Sequence, residues 1–94
     1  MYPIIILPEL QALIPPLTPQ EYCQLETNLL KDGCREPLSV MEDVDERQNP
    51  AFSLLDGHNR HAICEAHGLP YKLHVVKGLL TREDVHLWII HNQL

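Results

Sequence analysis

The sequence predicts an α+β domain, in which a small mixed β-sheet is flanked by three helices. Three observations lead to this prediction. The chain has 94 residues, which is enough for one hydrophobic core. Its contents of 45% hydrophobic and 21% charged residues are those of an ordinary globular protein. Segments typical of strands and helices follow in the order strand, helix, strand, strand, helix, strand, helix. We therefore expect residues 1–94 to form a single domain.

The first strand is predicted at residues 2–7, where the proline stands at the start and its missing N–H group matters least. Residues 8–16 form a link that is punctuated by prolines. Within this link, residues 9–13 are predicted to form a short turn.

The first helix is predicted at residues 19–32 and carries the clearest signals in the chain. Thr18 suits the N-cap position, and Pro19 suits the first helical position. Glu21 stands three residues after Thr18 and completes a capping box. Gly33 is a natural end for this helix.

The central part of the chain is predicted to form two strands and a second helix. Residues 38–42 alternate between apolar and polar side chains, as a half-buried strand does. Residues 42–50 are acidic and rich in turn formers, which predicts a surface loop. A short apolar strand at residues 52–55 follows, and after a turn a helix at residues 60–67 ends before Gly68.

The last elements are a strand at residues 71–76 and a third helix, which Thr81 and Asp84 open with a second capping box. One face of this helix carries Val85, Trp88 and Ile89. No glycine or proline follows as a stop signal, which predicts that the chain is a fragment of a longer protein.

Bulk properties narrow the classes of function. A net charge of −6, with only seven Lys and Arg residues, argues against non-specific binding of the DNA backbone by this domain. The longest apolar run, residues 4–7, is too short to span a membrane, and a signal peptide is not apparent. Three widely spaced cysteines, Cys23, Cys34 and Cys64, are typical of reduced thiols. We therefore expect a cytoplasmic protein without a membrane partner.

The turn from Asp56 to Arg60 (Asp-Gly-His-Asn-Arg) joins a buried strand to a helix. Free N–H groups and the positive end of the helix dipole attract anions. Gly57 lets the backbone turn sharply and lets a phosphate come close, and Arg60 adds a fork of donors. The alternative is a structural corner in which Asp56 and Asn59 cap the helix.

Two other kinds of chemistry are less favoured. Four possible zinc ligands recur at every third position: His58, His61, Cys64 and His67. On a helix, residues three positions apart point in progressively different directions, so the four side chains cannot converge on one ion. We therefore expect no zinc site. Neither Cys34 nor Cys64 stands where a thiol would be activated as a nucleophile.

Arg35, Glu36 and Pro37 lie between the first helix and the second strand, where charged side chains are usually solvated. If this loop lies beside the turn at Gly57, Arg35 becomes a second phosphate clamp. Glu36 could then hold a metal or orient a hydroxyl group. The sequence leaves both arrangements open.

Several segments together resemble the ParB N-terminal domain, also called the ParB/sulfiredoxin fold. The segments are Leu13-Ile14-Pro15-Pro16-Leu17, Lys31-Asp32-Gly33, Arg35-Glu36-Pro37-Leu38-Ser39-Val40 and Leu54-Leu55-Asp56-Gly57-His58-Asn59-Arg60. The resemblance implies a nucleotide-phosphate pocket at the turn, formed by Asp56, Gly57, His58, Asn59 and Arg60 together with Arg35. It also implies CTP or ATP with magnesium as the ligand.

The chain departs from each branch of this family at the turn. Partition proteins have Gly-Glu-Arg-Arg at this turn, so His58 and Asn59 of this chain replace a glutamate and an arginine. Sulfiredoxins have a catalytic cysteine at the position of His58. Free serine kinases have the similar Asp-Gly-His-His-Arg. Residues 92–94 resemble the start of a second nucleotide motif of the partition proteins, Glu-Asn-Leu-Gln-Arg.

The resemblance implies two main candidate functions. The first is a regulatory nucleotide-binding module of a DNA-associated plasmid- or chromosome-partition or transcription-related protein, which contacts DNA through other segments. The second is a small phosphotransferase or nucleotide hydrolase, with Glu36 or Asp56 as the candidate catalytic carboxylate. Nuclease activity ranks third. A homodimer is compatible with the first function, and the sequence leaves the oligomeric state open.

Overall fold

The computed structural model describes residues 2–92 and confirms an α+β fold around a small mixed sheet. Its four helices exceed the predicted three, because part of the proline-rich link forms a short helix. In chain order the elements are β1 (Ile4–Ile5), α1 (Pro8–Gln11), α2 (Pro19–Asp32), β2 (Leu38–Val44), β3 (Pro50–Asp56), α3 (His58–His67), β4 (Leu73–Val75) and α4 (Arg82–His91).

The four strands lie in the order β1-β3-β2-β4. Strands β2 and β3 form an antiparallel hairpin at the centre, whereas β1 runs parallel to β3 and β4 runs parallel to β2. Each parallel connection contains one of the longer helices: α2 joins the β1 side to β2, and α3 joins β3 to β4. The end of β3 is therefore the point at which the chain leaves the centre of the sheet and enters α3.

The two faces of the sheet carry separate apolar clusters. Leu54 and Leu55 are neighbours in β3 and are both fully buried, and they point to opposite faces because side chains alternate along a strand. Leu55 packs with Leu10 of α1 and with residues of α4, whereas Leu54 packs with Leu38 and residues of the other strands. The core members are Leu10, Leu55, Val85 and Ile89 on one face and Leu38, Val40 and Leu54 on the other.

The predicted surface loop at residues 42–50 is shorter in the structure, since pairing between β2 and β3 continues to Val44 and Pro50. The loop proper is residues 45–49, and Asp45 closes it by accepting hydrogen bonds from the backbone N–H groups of Arg47 and Asn49. Polar composition predicted a loop, but cross-strand pairing extends the ladder through these residues.

The two capping boxes are confirmed. The N–H group of Thr18 donates to Glu21 at 2.9 Å, and the N–H group of Glu21 donates to the Thr18 hydroxyl at 3.1 Å. Thr81 and Asp84 open α4 in the same way. The helix at residues 19–32 is observed with the predicted bounds.

Other boundaries differ from the prediction. Strand β1 is limited to two residues because Leu7 already serves as the N-cap of α1, and β4 spans three residues rather than six. Helix α3 begins at His58, two residues earlier than predicted. Gln93 and Leu94, on which most of the proposed second nucleotide motif falls, lie outside the described residues. Among residues 2–92, no helix combines the length and the apolar character needed to cross a bilayer.

Candidate functional site

Gly57 joins β3 to α3 in a left-handed conformation, with φ of 97°. A Cβ atom at this position would lie 2.6 Å from Cδ2 of Leu38 and 3.0 Å from Nη2 of Arg60. Both the backbone conformation and the close packing therefore favour glycine. The space where a Cβ would lie holds two of the protein's own side chains, so the glycine is explained by packing and not by room for a phosphate on that side.

Arg60 ties the turn to the loop that follows α2. Its Nη1 donates a hydrogen bond of 2.8 Å to the backbone carbonyl of Glu36, and its Nη2 lies 3.4 Å from Oδ2 of Asp56. The thiol of Cys34 donates to the same Glu36 carbonyl at 3.6 Å. The two loops that the sequence could not place together are thus neighbours, and the guanidinium group of Arg60 joins them.

The side chains of Arg35 and Glu36 do not take part in this junction. Both residues are exposed, and among residues 2–92 neither side chain makes a hydrogen bond or an ion pair. Glu36 contributes its backbone carbonyl instead of its carboxylate. Of the two predicted phosphate-clamping arginines, the structure places Arg60 at the turn and leaves Arg35 in solvent.

The N-terminus of α3 has no side-chain cap, so the alternative in which Asp56 and Asn59 cap this helix is wrong. The carboxylate of Asp56 pairs with Arg60 instead. The first helical hydrogen bond runs from the N–H group of His61 to the carbonyl of Gly57 at 2.8 Å. The N–H groups of the three residues before His61 therefore remain free of intrahelical partners, at the positive end of the helix dipole.

A cavity of about 270 Å³ lies beside this helix end. Its other wall is the link between α1 and α2 together with the first turn of α2. Its lining contains one histidine and no Lys, Arg, Asp or Glu residue. The lining residues are Gln11, Ile14, Pro15, Pro16, Leu17, Tyr22, His58 and Asn59.

The imidazole of His58 is the unusual group in the cavity wall. His58 is 7% exposed, and within the described part of the chain neither Nδ1 nor Nε2 has a hydrogen-bond partner. Burial lowers the pKa of His58, the nearby Asp56 carboxylate opposes this effect, and His61 adds to it. Burial therefore favours the neutral form of the ring.

His61, Cys64 and His67, the other three potential zinc ligands named from the sequence, have different neighbours. His61 lies 3.6 Å from the carboxylate of Glu65, and Nε2 of His67 lies 2.9 Å from Glu26 of α2. Burial and the neighbouring Cys34 thiol raise the pKa of Cys64 to about 11. Across residues 2–92, no three His, Cys, Asp or Glu side chains come together as a metal-binding group.

A larger cleft of about 600 Å³ lies elsewhere, between residues 5–8 and residues 44–48. It does not include any residue of the Asp56–Arg60 turn, and it does not contain a buried polar group without a partner. The smaller cavity combines a free helix N-terminus with an unpaired imidazole. We therefore take the smaller cavity as the candidate site.

Sequence reasoning did not identify the far wall of this cavity. Neither Leu17 nor Tyr22 is among the site residues that the sequence predicts. No signal in the sequence pointed to Gln11. These residues reach the site because the link between α1 and α2 passes in front of α3, a tertiary arrangement that local patterns do not encode.

Comparison of the sequence with models of known protein families gave no match. Comparison with curated proteins gave no match either. The ParB-like resemblance therefore rests on the motifs quoted above.

Proposed function

We propose that this domain is a regulatory module that binds the phosphate groups of a nucleotide at the N-terminus of α3. One observation carries the proposal: the uncapped end of α3 borders a cavity in which His58 has no hydrogen-bond partner. Backbone donors at the end of a helix and a nearby imidazole suit a phosphate oxygen.

The surroundings of the turn support a preorganised site. Gly57 packs against Leu38, and Arg60 anchors the turn to the Glu36 carbonyl, so the donors of α3 are held by the sheet and the adjacent loop. Fixed donors do not have to be ordered when the ligand binds, which saves part of the entropic cost of binding.

Magnitudes indicate that the helix end cannot act alone. A helix N-terminus contributes typically about 0.3–1 kcal/mol to the binding of a negative charge at an exposed site. A Kd of about 1 mM requires about 4 kcal/mol. The remaining free energy would come from His58, from Asn59 and from contacts of the base and sugar with the far wall. This requirement favours a nucleotide as the tighter ligand, with free phosphate or sulfate bound more weakly.

The wider setting of the proposal follows from the resemblance to ParB N-terminal domains. In that setting CTP or ATP, with magnesium, is the ligand, and the parent protein is a cytoplasmic, DNA-associated protein. The net charge of −6 favours contact with DNA through other segments. Dimerisation would be the output that the nucleotide regulates.

The alternative, a phosphotransferase or nucleotide hydrolase, needs a carboxylate that is free to act on the ligand. Asp56 already pairs with Arg60, and the side chain of Glu36 is exposed and points to no described partner. This arrangement favours binding over turnover. A phosphate-release assay with magnesium separates the two functions, since a binding module gives only the background rate.

Isothermal titration calorimetry of the full chain with CTP, ATP and inorganic phosphate tests the proposal. The informative variant is Asn59→Asp, because a carboxylate in the first turn favours the helix but repels an anion. We expect this variant to lose at least about tenfold in affinity while its thermal stability is kept. Asn28→Asp, an exposed residue of α2, changes the net charge equally and serves as the control.

Two results would overturn the proposal. One is the absence of heat with all three ligands for the wild-type chain. The other is equal affinity for the wild-type, Asn59→Asp and Asn28→Asp proteins, which would place the bound ligand away from the end of α3.

A further inference from the structure

The imidazole of His58 has unmet hydrogen-bonding capacity. A neutral imidazole carries one N–H donor and one acceptor nitrogen, and in His58 both nitrogens are buried without a partner among the described residues. Leaving a buried polar group unpaired costs about 1–3 kcal/mol. No other side-chain nitrogen or oxygen of residues 2–92 is buried in this way. A ligand that pairs with the ring would recover part of this cost.

The free end of α3 lies at the same place in the fold. Helix α3 has ten residues, and its first-turn N–H groups lack a side-chain cap. His58 and Asn59 are the first two residues of the helix, and both line the cavity. Two separate observations, the open backbone donors and the unpaired imidazole, therefore indicate a ligand atom that accepts hydrogen bonds and carries negative charge.

The charges around His58 are few. Asp56 on the preceding strand and His61 on the same helix are the titratable groups that act on it. Across the cavity, the lining contains no Lys, Arg, Asp or Glu residue. Arg60 is directed away, toward Asp56 and the Glu36 carbonyl. An anion in the cavity would therefore have no cation to pair with unless the imidazole becomes protonated.

Building on the proposed function, we propose that the cavity binds the dianionic terminal phosphate of its ligand together with one proton, which His58 takes up. Because both ring nitrogens are buried, the ring would have to turn toward the ligand, and the protonated ring would then donate to a phosphate oxygen while the backbone N–H groups of α3 hold the others. A negative charge within about 4–6 Å favours the charged form of a histidine, which opposes the effect of burial. Ligand affinity should therefore rise as the pH falls.

The experiment needs a probe whose own charge stays constant, because phosphate itself gains a proton near neutral pH. Sulfate remains a dianion throughout this range and has a similar shape. We would titrate the full chain with sulfate, inorganic phosphate and CTP at about pH 6 and about pH 8. Calorimetry in two buffers with different ionisation enthalpies then gives the number of protons taken up per ligand.

For the wild-type chain we expect sulfate to bind at least about tenfold more tightly at pH 6 than at pH 8, which corresponds to an average uptake of at least about half a proton over this range. A fully coupled proton changes affinity by up to about tenfold per pH unit. His58→Gln keeps hydrogen-bonding groups but cannot titrate, so its sulfate affinity should be nearly independent of pH. His74→Gln, on the exposed part of β4, should behave as the wild type does.

The outcomes separate this inference from the proposed function. Binding without proton uptake, or the same uptake by the His58→Gln protein, overturns the inference and leaves the binding module in place. The absence of binding by every ligand at both pH values overturns both. If the His58→Gln protein fails to fold, an NMR pH titration of the His58 ring in the wild type, with and without sulfate, tests the inference instead. The inference is overturned if sulfate does not raise the pKa of His58.

Discussion

Gly57 has two structural constraints that can be measured separately. Its φ is positive, and the position of a Cβ atom is already occupied by Leu38 and Arg60. Gly78 also has a positive φ, of 83°, but a Cβ there would meet nothing within 4 Å. The pair therefore separates the cost of backbone conformation from the cost of overlap.

We expect Gly78→Ala to lower the free energy of unfolding by about 1–2 kcal/mol, the cost of a left-handed conformation for alanine. Gly57→Ala should cost more, about 2–5 kcal/mol, because overpacking adds about 1–3 kcal/mol. Urea unfolding followed by circular dichroism gives both values. Equal costs for the two variants would show that the contact with Leu38 is unimportant.

Cys64 is a residue whose chemistry the fold suppresses. It is 1% exposed, and burial and the Cys34 thiol raise its pKa to about 11. At pH 8 about 0.1% of such a thiol is ionised, and only the thiolate is reactive. In alkylation followed by mass spectrometry, we expect exposed Cys23 to react quickly and Cys64 to stay protected until the chain unfolds. Equally fast alkylation of Cys23 and Cys64 in the folded protein would be inconsistent with this structure.

At the scale of elements, Arg60 connects α3 to the loop after α2. It donates to the Glu36 carbonyl, and hydrogen bonds that involve a charged group contribute about 1.5–3 kcal/mol. We expect Arg60→Ala to lower the free energy of unfolding by about 1–3 kcal/mol in urea titrations. The matched control is Arg35→Ala, an exposed arginine of that loop, whose effect should stay within about 0.5 kcal/mol. Similar values for the two variants would rule out the tether.

Helix α2 offers a test of its capping box. Thr18→Ala should cost about 1 kcal/mol of stability, since the hydroxyl group accepts from the N–H group of Glu21. Thr27 lies in the middle of the same helix, where Thr27→Ala should be neutral or stabilising because alanine is the better helix former. Thermal or urea unfolding measures both, and a loss of stability in both variants would point to a cause other than capping.

The same capping box makes a small pH-dependent contribution. Hydrogen bonds from the backbone and then the side chain of Thr18 lower the pKa of Glu21 below its usual value of 4.5. Because the folded-state pKa is the lower one, this stabilisation is present at neutral pH. It is lost as the pH falls below 4.5 and through the folded-state value. The Thr18→Ala protein should therefore lose less stability than the wild type over that range.

Local signals predicted some elements well and others poorly. The bounds of α2 follow from Thr18, Glu21 and Gly33, all of which lie within or beside the helix. The lengths of β1 and β4 depend on pairing with strands far along the chain, and the local pattern overestimated both. The start of α3 was placed two residues late because the sequence pattern treated His58 and Asn59 as part of the turn.

Some features of the candidate site were likewise predictable from local sequence, whereas others depend on tertiary contacts. The turn from Asp56 to Arg60 is contiguous in sequence, and its composition indicated an anion site. The reason for Gly57 involves Leu38, and the role of Arg60 involves Glu36, so both depend on contacts across the fold. The cavity wall at Gln11 and Tyr22 comes from the first quarter of the chain and needed the tertiary structure.

At the scale of the whole molecule, the net charge of −6 and the proposed anion site have to be reconciled. Asp56, the carboxylate that immediately precedes α3 in the chain, is paired with Arg60. The cavity lining contains no Asp or Glu residue, and salt screens carboxylates that lie farther than about 8–10 Å away. An acidic domain can bind one phosphate group locally and still be unsuited to a nucleic-acid backbone.

The central claim, that phosphate binds at the end of α3, is tested most directly by an NMR titration of the ¹⁵N-labelled full chain with CTP and inorganic phosphate. We predict that the largest shifts occur at the backbone amides of His58, Asn59 and Arg60, with smaller shifts at Leu17 and Tyr22 across the cavity. Amides that stay unchanged at millimolar ligand, or shifts confined to the cleft between residues 5–8 and 44–48, would contradict the account.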